Sequence, residues 1–256
     1  MYVSAALGVA SANGVIPILD ARTSIQVPAD PSTSLRAGDP DALYKDRETL
    51  ASAKKAAEIW AARLAANATD FDSAYKLAQA RYWLGTNGVP EPERKAALES
   101  GIAAARSAIA IDARRPEGHF WLAANMGALA ESFGLRQGIK YRGQIKDALL
   151  TTLKLDPGFL QGSADRALGR WYYKVPGLFG GSNKQSEAHL RKSLTYNPNS
   201  VISHLFLAET LEDMGRKDEA RRECQAAIDA PFDPDWTPED KRFKEAAKRL
   251  LRDLQR

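Results

Sequence analysis

The sequence contains few of the residues from which covalent cross-links and metal sites are built. Among its 256 residues there is one cysteine, Cys224, and there are three histidines. A single cysteine excludes an internal disulfide and any zinc site built from several cysteines. The histidines match no metal-binding spacing such as HExxH and are far apart in the chain: they are His119, His189 and His204. We therefore expect no metal and no cofactor.

Long hydrophobic runs are also missing. No stretch approaches the roughly 20 apolar residues that span a bilayer. Residues from Tyr2 to Leu19 are small and mostly apolar, but the first basic residue, Arg22, comes after them. A secretory signal normally begins with a basic region, and a lipoprotein signal continues into a cysteine. We interpret residues 1–40 as a disordered leader or a defective signal-like segment, followed by a helical repeat domain over residues 41–256.

Neither sign of charge dominates the chain. There are 36 Lys and Arg residues against 32 Asp and Glu, which gives a formal net charge of +4. This excess is small and scattered, whereas a nucleic-acid surface concentrates basic residues on one face, so we predict no nucleic-acid partner. The carboxylates fall on predicted solvated helix faces, and no pair is placed for acid–base catalysis. We therefore predict that the protein is not an enzyme.

Helical periodicity is the strongest signal that is present, and it is clearest from Val201 to Asp229. Small residues at Ala208 and Ala220 leave room for a facing helix, and Gly215 allows the chain to turn. Cys224 falls on the packed face and is predicted to be a buried structural thiol. The spacing fits the tetratricopeptide repeat (TPR) pattern. One such hairpin cannot bury its apolar face alone, so similar neighbours are expected.

A short sequence pattern also recurs at each point where the second helix of a pair is predicted to end. There, an apolar residue, a spacer and a second apolar residue precede an Asp or Asn, at Asn67, Asp112, Asp156, Asn197 and Asp229. Successive members of this series are 45, 44, 41 and 32 residues apart. Only the last gap is close to the 34-residue TPR period, and the others contain insertions. We predict an all-α, TPR-like solenoid of about four helix pairs, with a leading helix and a C-terminal capping helix.

Aromatic residues mark the first helices of the pairs. They occur next to each other at Tyr82-Trp83, Phe120-Trp121 and Trp171-Tyr172. Two adjacent side chains on a helix cannot face the same side, so some of these rings should face the concave groove while others remain in the core. With nearby polar residues they could form an apolar cleft for a small organic anion or a peptide. The candidate contacts are Trp83, Trp121, Asn125, Arg170 and Tyr172.

The loop from Pro176 to Lys184 contains glycines before a helix start, as phosphate-binding loops do. It lacks the G-x-x-x-x-G-K-[ST] pattern and no strand precedes it, so we predict a connecting loop instead. Leu178 and Phe179 should pack onto the solenoid, and contact with a ligand or protein partner is the alternative that makes Phe179 a candidate site residue. Ser182 is expected to cap the following helix, with Gln185 completing a capping box.

Three contiguous strings resemble the TatT family, the TPR-containing T component of tripartite ATP-independent periplasmic (TRAP) transporters. They are PEGHFWLAANMGALAESFG, LDPGFLQGSADRALGRWYYKVPGLFGGS and HLRKSLTYNPNS. The resemblance extends over roughly Asp41 to Leu254. It implies a non-enzymatic α-solenoid of the cell envelope, often a periplasmic lipoprotein, although this chain lacks the lipobox cysteine.

The resemblance also implies partners. A protein of this kind would work beside the periplasmic substrate-binding protein of a transporter that imports small organic acids or other hydrophobic ligands. It would also form a homo-oligomer, such as a homotrimer. The alternative that the residues leave open is a general TPR adaptor for protein–protein interactions, with no transport role.

Overall fold

The structure, a computed structural model, describes residues 38–87, 89–133 and 135–256. The predicted leader over residues 1–40 therefore lies almost entirely outside the described residues. Within the described ranges the chain forms eleven α-helices and no β-strand. A 3-10 turn, Gly177–Phe179, follows the seventh helix. In chain order the helices are α1 (Pro40–Lys45), α2 (Leu50–Ala66), α3 (Phe71–Thr86), α4 (Glu91–Ile111), α5 (Pro116–Phe133), α6 (Leu135–Leu155), α7 (Phe159–Lys174), α8 (Asn183–Tyr196), α9 (Val201–Asp213), α10 (Lys217–Asp229) and α11 (Thr237–Leu254).

The helices are organised as four antiparallel pairs: α3 with α4, α5 with α6, α7 with α8, and α9 with α10. Helix α2 precedes them and α11 packs on the last pair. The predicted all-α solenoid, with its leading helix and C-terminal capping helix, is confirmed. The short helix α1 was not predicted. In the described part of the chain, no helix is both long and apolar enough to cross a membrane.

The recurring Asp and Asn residues end the second helices by a shared mechanism. In four of the five cases the side-chain Oδ1 accepts a hydrogen bond from the backbone N–H two residues later, an Asx-turn. The accepting residues are Asn67 (3.1 Å), Asp112 (3.0 Å), Asp156 (2.9 Å) and Asn197 (2.9 Å). Asp229 differs, because it is the last residue of α10 and its Oδ1 accepts from Gln225 Nε2 at 2.9 Å. The series therefore marks the points where the chain leaves one pair for the next.

The last pair packs as its sequence predicts. Ala208, Ala220 and Cys224 are fully buried between α9 and α10. Gly215 has a φ of +76° at the turn, a conformation that side chains rarely adopt. Burial raises the pKa of the Cys224 thiol to about 12, so this cysteine is a protonated, inert core residue.

Glycines at equivalent positions allow the first and third pairs to approach closely. A Cβ atom on Gly85 would lie 2.4 Å from Leu98 Cγ, and one on Gly169 would lie 2.5 Å from Leu190 Cγ. Both leucines are fully buried. The larger leucine of one helix thus occupies the space that the glycine of the other leaves empty.

The two ends of the solenoid contact each other. Arg47, just after α1, makes a two-pronged ion pair with Glu239 at the start of α11, with distances of 3.1 and 2.6 Å. The same guanidinium donates to the carbonyl of Asp235 at 2.6 Å. Nearby, Arg242 donates to Asn87 Oδ1 at 2.7 Å at the end of α3. These contacts join the N-terminal helices to the capping helix and enclose the concave surface, which the sequence did not predict.

The loop after α7 differs from its prediction in two respects. Leu178 does not pack onto the solenoid, since it is 89% exposed. Ser182 caps α8 as predicted, with its Oγ accepting from the Gln185 N–H at 3.3 Å. However, the Ser182 N–H donates to the carbonyl of Tyr172 at 2.9 Å, so it is not left for the Gln185 side chain and the capping box is not completed. This bond holds the end of the loop against α7.

Candidate functional site

The concave surface contains a cavity of about 720 Å³. Helices α5, α7, α9 and α11 surround it, and α6 and the 3-10 turn border one side. Its volume lies within the roughly 300–1,000 Å³ range of small-molecule sites. Much of the wall is aromatic or aliphatic: Tyr82, Phe120, Trp121, Ala124, Ala128, Leu160, Ala167, Trp171, Ile202, Phe206, Trp236 and Phe243.

Small residues on α5 create much of this space. They recur along the helix at about one-turn intervals and are Ala123, Ala124, Gly127, Ala128 and Ala130. A Cβ atom added to Gly127 would meet no heavy atom within 4 Å among the described residues, apart from those of its own helix backbone. The cavity therefore follows from the small size of the side chains on α5, because larger side chains at these positions would have filled it.

The start of α7 forms a left-handed turn in the cavity wall. Leu160, Gln161 and Gly162 have φ values of 43°, 58° and 76°. Left-handed backbone costs a non-glycine residue roughly 1–2 kcal/mol. The Gln161 side chain is held at this turn by Asp233, whose Oδ2 accepts from Nε2 at 3.1 Å, and by Asn197. These contacts hold the chain in a conformation that its local preference opposes.

Three of the six candidate site residues line the cavity: Trp121, Arg170 and Phe179. Trp121 packs against Tyr82, with ring centroids 5.7 Å apart. Phe179 reaches the cavity from the 3-10 turn, and the Arg142 guanidinium lies 5.2 Å from its ring centroid. Residues from three separate elements therefore come together here.

The other three candidates lie outside the cavity lining. The Trp83 indole is buried and donates to the carbonyl of Arg47 at 2.9 Å. Asn125 is fully buried, and its amide donates to the carbonyls of Ala78 at 3.1 Å and Trp121 at 2.8 Å. Tyr172 stacks on His189 with ring centroids 5.4 Å apart. Their contacts are with the framework around the cavity.

Arg170 is already neutralised by two carboxylates. Its guanidinium pairs with Glu131 at 3.1 Å and with Glu209, and it lies 4.3 Å from the Phe206 ring centroid. Burial lowers the pKa of this guanidinium, but the two carboxylates outweigh that effect and raise it. Arg170 thereby connects α5, α7 and α9 along the cavity wall.

Arg166 is a charged lining residue that was not among the predicted contacts. It lies one helical turn before Arg170 and also lines the cavity. Within the described ranges its side chain has no hydrogen bond and no ion pair. Burial lowers its pKa to about 10, while the acidic groups of Tyr82 and Asp240 act in the opposite direction. The group still carries its charge at neutral pH. The four-residue spacing to Arg170 is the sequence signal that could have identified it.

Titratable pairs also occur outside the cavity. His189 Nδ1 lies 2.7 Å from Asp165 Oδ1, and His204 lies between two acceptors, Glu223 Oε2 at 2.6 Å and the Pro198 carbonyl at 2.8 Å. Burial lowers the pKa of His204, but these acceptors outweigh it and raise the pKa above its ordinary value. In the described part of the chain, no group of three or more metal-ligating side chains is placed to hold an ion.

We predict that replacing His204 with glutamine destabilises the protein more in mild acid than in alkali. Because the folded-state pKa lies above the ordinary 6.5, the stabilising contribution is fully present below pH 6.5 and is lost as pH rises through the folded-state pKa. Urea denaturation at about pH 5.5 should show a loss of about 1–2 kcal/mol in the free energy of unfolding, given the strength of charge-assisted hydrogen bonds and partial solvent screening. At about pH 9 the loss should be smaller.

The Glu223→Gln background supplies the control for this prediction. Without the carboxylate, the effect of His204→Gln should lose most of its pH dependence. An effect of the same size at both pH values in the wild-type background would contradict the charged His204–Glu223 pair.

Two family models match the chain, and each spans more than half of its length. The model described as TRAP transporter T-component matches residues 117–256. This chain belongs to the TRAP transporter T-component family. The match starts at the second residue of α5 and extends through α11, so it contains most of the cavity wall. It confirms the family resemblance seen in the sequence.

The second model is described as Regulator of microtubule dynamics protein 1-3 and matches residues 39–179. Because this match also spans more than half of the chain, this T-component chain belongs to that family as well. The two matches overlap over residues 117–179, which contain α5 from its second residue, α6, α7 and the 3-10 turn. A search of curated proteins found no significant match.

Solved structures of TPR proteins share the fold of this T-component chain. TTC0263, a thermophilic TPR protein in Thermus thermophilus, superposes with a TM-score of 0.62 at 21% identity, covering 87% of this chain and 99% of that one. MamA superposes with a TM-score of 0.50 at 15% identity, covering 78% of this chain and 95% of its own. At these identities the similarity establishes the TPR-type architecture alone.

Proposed function

We propose that this chain is a non-enzymatic, TPR-like scaffold of the cell envelope that assists a TRAP-type transporter by contacting its substrate-binding protein. The observation that carries the proposal is the T-component family match over residues 117–256, which includes the helices around the cavity. TPR-type solenoids present extended concave surfaces for binding. A periplasmic location and a homotrimeric assembly belong to the same proposal, because they come from the family resemblance.

The proposed contact residues divide into two groups according to their positions. Trp121, Arg170 and Phe179 line the cavity and are proposed to contact a small hydrophobic or organic-acid ligand, or an extended segment of the partner. The remaining candidates, Trp83, Asn125 and Tyr172, are proposed to act by positioning the helices that form this surface.

Capture of partners from the source cell envelope tests the scaffold role. The full chain, carrying an affinity tag, is expected to recover a substrate-binding protein or another transport subunit after cross-linking. The exposed Leu178 offers a variant, Leu178→Asp, that should reduce this recovery without unfolding the protein. Leu150, which is 44% exposed on α6, provides the matched control Leu150→Asp. Recovery of no transport component would contradict the transporter role.

The second candidate function is a general TPR adaptor without a transport role. It is favoured by the match over residues 39–179 to the family described as regulators of microtubule dynamics. Co-sedimentation of the purified chain with microtubules, together with the absence of transport subunits in the capture experiment, would support this candidate against the first.

A further inference from the structure

Arg166 is a feature of the cavity wall that packing alone does not explain. A guanidinium carries five N–H donors and remains charged in proteins. Buried charges are normally paired, because an unpaired one loses its hydration without compensation. Arg166 is half-buried in the cavity wall, yet it has no hydrogen-bonding or ion-pair partner within residues 38–87, 89–133 and 135–256. Its donors are therefore available to a ligand.

The carboxylates around the cavity have other partners. Glu131 pairs with Arg170, and Glu239 pairs with Arg47. Asp240, whose charge acts on Arg166, accepts a hydrogen bond from the Asp233 N–H at 2.9 Å and forms no ion pair in the described part of the chain. Among the residues that the structure describes, the positive charge of Arg166 thus has no direct counter-ion, and it lies beside an apolar surface.

We propose that the cavity binds a small amphipathic anion, whose carboxylate or phosphate head pairs with Arg166 and whose apolar body lies along Trp121, Ala128 and Leu160. A guanidinium matches both kinds of head group through two parallel N–H···O bonds. The proposal deepens the proposed function, on which it rests for the role of the cavity, by naming the chemical class of the ligand.

The shape of the cavity fits such a ligand. The small residues of α5 provide the space, and Gly127 has room for added atoms on its cavity side. Leu160 forms part of the opposite wall and is placed there by the left-handed turn that Gln161 and its partners hold. An apolar chain buries its surface along these walls, while the charged head makes hydrogen bonds to the guanidinium.

Calorimetric titration of the full chain tests the proposal with three probes of equal chain length: decanoate, decyl phosphate and the uncharged decanol. We expect an anionic probe to bind more tightly than decanol, and the tighter of the two anions identifies the preferred head group. Arg166→Met should weaken anion binding by about tenfold or more without weakening decanol binding. Arg166→Lys keeps the positive charge but not the two parallel N–H donors. Its affinity for the anions should therefore lie between those of the wild-type chain and Arg166→Met.

Matched variants separate the site from general effects. Arg106→Met removes an exposed arginine of α4 outside the cavity and should leave binding unchanged. Gly127→Phe should abolish binding of all probes by filling the cavity. The same substitution at the exposed Gly143, which has no neighbour within 4 Å outside its own helix in the described residues, should abolish none. Circular dichroism checks that each variant is folded. If Arg166→Met does not fold, Arg166→Lys and Gly127→Phe still test the proposal.

Three outcomes would overturn the inference: no binding of any probe to the wild-type chain, equal affinity for the anions and decanol, or unchanged anion affinity in Arg166→Met. None of these depends on recovering a transport partner. Failure of the ligand proposal is therefore distinguishable from failure of the scaffold proposal.

Discussion

Replacing Arg47 with methionine is expected to lower the free energy of unfolding by about 3–5 kcal/mol, the usual cost of removing one partner of a buried ion pair. The side chains of Arg47 and Glu239 are only 5% and 13% exposed. Without Arg47, the Glu239 carboxylate loses two charge-assisted hydrogen bonds and remains buried. Urea denaturation followed by circular dichroism measures the loss.

The position of Arg47 adds to this effect. Its guanidinium also donates to the Asp235 carbonyl, and it lies 5.1 Å from the Tyr44 ring centroid and 5.3 Å from that of Trp83. The variant should therefore loosen the contact between the N-terminal helices and α11. Because that contact helps to enclose the cavity, we expect faster hydrogen exchange in the first turns of α11 as well.

A second ion pair between the same two parts of the chain serves as the control. Lys241 and Glu48 are 2.9 Å apart, but each side chain is 52% exposed. Lys241→Met should therefore cost only about 0–1 kcal/mol. Combining Arg47→Met with Glu239→Gln should destabilise less than the sum of the two single changes, because no uncompensated charge remains. Equal effects of Arg47→Met and Lys241→Met would refute the role assigned to the buried pair.

Asn125→Asp is expected to destabilise the protein by about 3 kcal/mol or more at neutral pH, because it places an unpaired carboxylate in the core. Asn125 is fully buried, and its amide nitrogen donates to carbonyls of α3 and α5 that a carboxylate cannot bond. Its Oδ1 has no partner among the described residues and lies against Gly101. The substitution replaces the N–H donor with a negative charge, and the close packing against Gly101 leaves the new side chain no room to move.

The pH dependence of this variant has a defined sign. Burial raises the pKa of a carboxyl group, so the destabilisation should shrink as pH falls through the folded-state pKa of the new aspartate. Ala103→Asp, at an exposed position of α4, is the control and should cost less than about 1 kcal/mol. If Asn125→Asp retained full stability and changed only ligand binding, Asn125 would be a contact residue in an accessible site instead of a core residue.

The repeat architecture could be predicted because its determinants are local. Ala208, Ala220 and Cys224 occupy spacings that only a close helix pair satisfies, and all three are buried there. The Asp and Asn residues that end the second helices act on backbone groups two residues away, so they are visible in the sequence itself. Insertions changed the repeat length without hiding these signals.

The candidate site was predicted only in part. Adjacent aromatic residues showed that some rings must leave the core, but Trp83 and Trp121 carry the same signal in sequence. Trp83 donates its indole N–H to the carbonyl of Arg47 and lies outside the cavity lining, whereas Trp121, which is equally buried, borders the cavity. The sequence does not distinguish Arg166 from Arg170, but among the described residues only Arg170 has carboxylate partners.

By itself the sequence determined the all-α class, the four pairs, the capping helix and the family, since these depend on spacings within one or two repeats. Only the tertiary structure decided the enclosure of the concave surface, the cavity and the lack of a partner for Arg166 among the described residues. The reason is distance along the chain: Arg47 and Glu239 are 192 residues apart, and the cavity wall combines residues from α3 to α11. Whether a charge is paired depends on such long-range neighbours, which no local pattern specifies.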